Sequence, residues 1–130
     1  MTITMNLELE VGASLDEIAF VLSDMNAKYV IEVSSLTGNF KESNCYFLFW
    51  CQTPPCDISA EGVDKEWKVG LEGIFSSRNS SLTESWGDIK KFLEVLAEKT
   101  KSRFFLSFQY ESLYAAGDGS CVRFLKNMVD

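Results

Sequence analysis

The seven residues Cys45-Tyr46-Phe47-Leu48-Phe49-Trp50-Cys51 are apolar on both alternating faces, and this run constrains the fold more than any other stretch. A strand with two apolar faces must be covered on each side, so it belongs inside a sheet, at the centre of the core. A chain of 130 residues with 46% hydrophobic content can bury one sizeable core, and a single domain over residues 1–130 follows.

The flanking patterns supply neighbours for that strand. Ile3, Met5, Leu7, Leu9 and Val11 alternate with Thr4, Asn6, Glu8 and Glu10, a period of two that predicts a half-buried strand with an acidic wet face. After Gly12, Ser14 and Glu17 match a capping box ahead of Leu15, Ile18, Val21, Leu22 and Met25, which share one helical face. Tyr29 to Ser34 predicts a second strand and Thr37-Gly38-Asn39 a turn. Thr53 to Glu66, with Pro54, Pro55 and Gly62, is expected to be an exposed acidic loop, and Trp67 to Phe75 resumes a strand. Candidate caps at Ser81 and Ser85 precede a helix carrying Ile89, Phe92, Leu93 and Leu96 on one face. Phe104, Leu106, Phe108 and Tyr110 then alternate with polar residues, and Gly117-Asp118-Gly119 separates two closing strands as a hairpin would. The expected fold is α+β, a mainly antiparallel sheet with two principal helices packed on it, in the order β-α-β-β-β-α-β-β.

Charge separates the two halves of the chain. Residues 1–66 carry eleven acidic side chains against Lys28, Lys41 and Lys65, whereas residues 67–130 carry eight against nine basic ones. Such a field steers basic partners and disfavours nucleic acid, whose binding rests on phosphate neutralisation. There is no histidine, the side chain most used for proton transfer near neutral pH. Met1 to Val11 lacks the basic and apolar regions of a secretory signal, and no apolar run approaches the length of a membrane span, so a cytoplasmic location is expected.

Catalytic and metal-binding arrangements find little support. Cys45, Cys51, Cys56 and Cys121 lack the close pairing of a zinc site, and in a reducing compartment they read as small apolar residues, Cys45 and Cys51 packed in a strand. Cys56 is the most exposed-looking thiol, and the adjacent Asp57 disfavours its thiolate. Glu8 and Glu10 could form an acid–base pair or bind a cation, although carboxylates on a wet strand face are ordinarily solvated. Gly117 and Gly119 lack the lysine and helix of a phosphate loop. Lys90, Lys91, Lys99, Lys101 and Arg103 read as a solvated helix face and its end. No cofactor and no metal are expected, and the chain reads as a binding protein rather than an enzyme. Glu8, Glu10, Asp57, Glu61, Asp64 and Glu66 are the candidate partner-binding residues; Tyr46 and Trp67 could anchor such an interface but read better as core.

A small acidic α+β chain of this kind resembles the immunity proteins of bacterial contact-dependent growth inhibition and related polymorphic toxin systems. The similarity is strongest where a helix leads into Arg103-Phe104-Phe105-Leu106-Ser107-Phe108-Gln109-Tyr110-Glu111-Ser112-Leu113-Tyr114-Ala115 and then Val122-Arg123-Phe124-Leu125. The resemblance implies tight binding to a cognate toxin domain, often a basic nuclease acting in the cytoplasm, and assigns no residue a role. The alternative is an acidic type III secretion chaperone, a dimer that holds an unfolded effector segment. Against it, this chain opens with a strand instead of an amphipathic helix, and its second helix has no surplus of apolar residues for a dimer seam.

Overall fold

The alternation at the N-terminus forms β1 (Thr2–Glu10), and this strand lies in the middle of the sheet rather than at its edge. The computed structural model describes residues 2–129. After β1 come α1 (Leu15–Asp24), β2 (Lys28–Ile31), β3 (Ser35–Asn39), β4 (Tyr46–Asp57) and β5 (Lys68–Arg78). A short 3-10 turn then leads into α2 (Leu82–Lys99), β6 (Arg103–Phe108), β7 (Ser112–Asp118) and β8 (Val122–Phe124). The eight strands form one sheet in the order β2-β3-β4-β5-β1-β6-β7-β8, with every neighbouring pair antiparallel. The fold is α+β, an antiparallel sheet with two helices, and β3 and β8 extend the strand order read from the sequence.

The apolar stripes of the two helices cover one face of the sheet. Leu15, Ile18, Val21 and Leu22 of α1 and Trp86, Ile89, Phe92, Leu93 and Leu96 of α2 share a core with Met5, Leu7, Leu9, Phe47, Phe49, Leu71, Phe75, Phe104 and Leu106. Five phenylalanines, Phe40, Phe47, Phe49, Phe75 and Phe92, lie at its centre with ring centroids 5.0–6.1 Å apart. Ser14 and Glu17 form the expected capping box at the start of α1. Neither Ser81 nor Ser85 caps α2 in the expected way. Ser81 makes no side-chain cap bond, and Ser85 is buried inside the helix, where its hydroxyl meets that of Ser77 at 2.7 Å.

Two segments differ from their sequence reading for identifiable reasons. Thr37-Gly38-Asn39 is strand, not turn, because Gly38 allows β2 to approach closely; a Cβ there would overlap the Lys28 carbonyl. Thr53 to Glu66 is not one loop. β4 runs on to Asp57 through an irregularity between Cys51 and Cys56, and only the remainder leaves the sheet. That remainder folds back over the sheet face opposite the helices. There Ile58, Ala60, Trp67 and Val69 make a second small core, joined by Cys56, Val63 and Phe105.

Candidate functional site

Strand alternation places Glu8 between Leu7 and Leu9 but facing away from the helices, beneath the returning segment. It is 1% exposed, so the expected wet face is covered at this position. Its Oε2 accepts the Ser59 N–H at 2.7 Å and its Oε1 the Ala60 N–H at 3.0 Å. The carboxylate thus satisfies two donors of a loop that has no strand partner there. The Glu61 N–H donates to the Tyr110 carbonyl at 2.7 Å, and the Lys65 ammonium donates to the Ile58 carbonyl at 2.6 Å. Trp67 stacks on Phe105 with ring centroids 5.3 Å apart and 19° between planes. Backbone bonds and apolar packing together fix the loop from both ends.

On its outer surface the loop presents Glu61, Asp64 and Glu66, all exposed, with exposed Asp57 at its base. Asp57 pairs with Lys68, which draws its carboxyl below the ordinary range. Glu10 lies at the margin in a forked ion pair. The Arg103 Nε donates to Oε1 at 3.1 Å and Nη2 to Oε2 at 2.7 Å, and the Arg103 backbone N–H adds a bond to Oε1 at 3.1 Å. The Arg103 side-chain bond holds the Glu10 carboxyl low, and Nη1 of Arg103 reaches Glu66 at 3.7 Å. Arg103 therefore ties the first strand to the acidic loop, a role its expected place at a solvated helix end did not suggest. A groove of about 570 Å³ runs alongside, lined by Trp67, Phe105, Arg103, Arg123, Asp64 and Glu66 among others.

A half-buried polar group adjoins the loop. Glu72 is the direct cross-strand neighbour of Glu8; burial first, and then the nearby Glu8, push its carboxyl up, partly offset by the polar groups of Trp50 and Tyr110 near it. Tyr110 is raised by burial and by Glu72. It sits at φ +62 beside Gln109 at φ +54, and the Glu111 N–H closes this left-handed turn onto the Phe108 carbonyl at 3.0 Å. The turn ends β6 before Tyr110, which therefore leaves the expected strand alternation. Glu8, Glu72 and Tyr110 gather residues from three separated segments, and only Glu8 was singled out from the sequence. The signal that could have found it is its place between two core leucines, Leu7 and Leu9, on a strand whose second face is covered.

The cysteines also depart from their reading. Cys51 and Cys121 are exposed, Cys56 is half-buried, and only Cys45 is buried. Burial pushes Cys45 up to about 11 and raises Cys56, with Glu72, Glu8 and Asp57 adding to the latter. Such thiols are poor nucleophiles. Among the described residues no group of three or more His, Cys, Asp or Glu side chains is placed to hold a metal, and no helix is long and apolar enough to cross a membrane. Trp67 is buried as expected, whereas Tyr46 is 39% exposed on the open sheet face.

The structure thus brings Asp57, Glu61, Asp64 and Glu66 onto one fixed loop, with Glu10 tethered at its margin and Glu8 buried beneath. Asp16, Glu17 and Asp24 belong to α1, which covers the opposite face of the sheet. What fold and site define is a class: an antiparallel α+β protein bearing an anchored acidic loop. Comparison with known proteins returns no matching family model, curated protein or solved structure.

Proposed function

We propose that this chain is an immunity-type inhibitor that binds a basic bacterial toxin domain stoichiometrically in the cytoplasm and carries out no reaction of its own. The observation that supports this reading is the anchoring of the acidic loop. Flexible carboxylates lose conformational freedom on binding, at about 0.5–1.5 kcal/mol for each rotamer-rich side chain immobilised. A loop backbone already held by Glu8, Tyr110 and the Trp67 cluster avoids the separate cost of ordering the loop, while the side chains of Glu61, Asp64 and Glu66 still lose their own freedom on binding. Exposed carboxylates also raise the rate of encounter with a basic surface. A nuclease fits this chemistry, since its own substrate is polyanionic and its active face is correspondingly basic.

The test is co-expression with the product of the neighbouring open reading frame, scored by co-purification and by growth. A one-to-one complex with rescued growth supports inhibition; the absence of both sinks it. Reversal of Glu61, Asp64 and Glu66 to lysine should slow association about tenfold or more at low salt and flatten its salt dependence. Unchanged kinetics would move the interface elsewhere on the molecule.

A further inference from the structure

We propose that the free edge of the sheet at β2 pairs antiparallel with β2 of a second copy of this chain, joining two eight-stranded sheets into one. This surface lies at the end of the sheet, four strands from β1, and the proposal is independent of the toxin reading. Edge strands are usually blunted by shortness, bulges, proline or a covering element. β8, at the other edge, spans only three residues and carries an exposed Arg123 at its centre. β2 is also short, at four residues, and opens with exposed Lys28, but it has no proline or bulge and its centre is apolar, with Val30 64% and Ile31 41% exposed.

The hydrogen-bond parity of β2 determines which pairings are open to it. The Glu32 N–H donates to the Ser35 carbonyl at 2.8 Å, so Lys28, Val30 and Glu32 direct their backbone groups toward β3. The N–H and C=O groups of Tyr29 and Ile31 consequently point outward, where no strand follows. An antiparallel partner must bond to those two residues. When Tyr29 of one copy faces Ile31 of the other, Val30 meets Val30 on the two-fold axis and Lys28 meets Glu32 of the second copy. These last pairs are of the non-hydrogen-bonded kind, whose side chains approach most closely.

That register joins apolar to apolar and opposite charge to opposite charge, twice over. Shifting by one step in either direction keeps the hydrogen-bond parity but sets Val30 against Lys28 or against Glu32. The sequence Lys28-Tyr29-Val30-Ile31-Glu32 is thus self-complementary about Val30 in one allowed register, as a closed two-fold interface requires. Lys28 and Glu32 are both exposed, and among the described residues neither forms an ion pair within its own chain.

Light scattering during size exclusion, with protein loaded at about 100 µM, should give the mass of a dimer that dissociates on dilution. Lys28→Glu and Glu32→Lys each set like charges opposite one another at two symmetric places and should weaken the dimer about tenfold. The double variant Lys28→Glu/Glu32→Lys restores both attractions and should recover the wild-type dimer. A monomeric wild-type protein at that concentration overturns the proposal, leaving the edge to a strand from another protein. So does a wild-type dimer that neither single substitution weakens, or a double variant that remains monomeric.

Discussion

Glu8 is flanked along β1 by Leu7 and Leu9, both buried, and its two oxygens hold the Ser59 and Ala60 amides. A glutamine there has one acceptor oxygen and must turn its NH2 toward the second N–H. Glu8→Gln should therefore cost about 1–3 kcal/mol, with faster hydrogen exchange at Ser59 and Ala60. Unaltered exchange would show that packing alone holds the loop. Glu72 gives a pH dependence. Its carboxyl is raised in the folded state, chiefly by burial and then by Glu8, so the folded protein keeps that proton to higher pH than the unfolded chain does. Stability at this site is greatest in acid and declines as pH rises from the ordinary carboxylate range through the raised value. Glu72→Gln should then match wild type near the acid end and exceed it at neutral pH in urea unfolding; equal stability at both would remove the argument.

Pairs of strands reveal a second kind of specification. Phe49 faces Gly73 across β4 and β5, and Phe104 faces Gly117 across β6 and β7. A Cβ at either glycine would overlap the opposing ring, so each ring fills the space that its glycine leaves. Gly73→Ala should cost about 1–3 kcal/mol by overpacking, and Phe49→Leu in the same chain should recover part of it; an additive double variant would show that the two do not compete for space. Where a regular pattern met one apolar layer, as in Leu15, Ile18, Val21 and Leu22 of α1 or Ile89, Phe92, Leu93 and Leu96 of α2, the sequence predicted the element and its buried face. It failed where a second covering layer intervened. Glu8 looked solvated because nothing in its neighbours along the chain reports that residues 58–67 fold over it. Thr37-Gly38-Asn39 looked like a turn because a glycine required by a close strand crossing has the same one-letter signature as a glycine required by a bend. The acidic loop residues could be named from composition, whereas their anchoring depends on Glu8, Phe105 and Tyr110, which are remote in sequence.

Across the whole molecule the helices bury one face of the sheet around the phenylalanine cluster, with Phe92 supplying the ring from α2 that lies 5.5 Å from both Phe49 and Phe75. Phe92→Ala should cost about 3–5 kcal/mol in equilibrium unfolding; a loss below about 1 kcal/mol would mean that α2 can settle into the gap. The arrangement of the strands has its own effect in time. β1 is made first, yet its two neighbours are β5, where Thr2 faces Arg78, and β6, where Met5 faces Phe108. During synthesis the strand at the middle of the finished sheet emerges with neither neighbour yet available. Its pairing closes loops of roughly this protein's own half-length and more, which places folding among the slow, topology-limited cases, on the order of milliseconds to seconds. Through that interval Met5, Leu7 and Leu9 have no strand to cover them, and Glu8 and Glu10, interleaved with them, supply the kind of charge that disfavours pairing between unpaired strands.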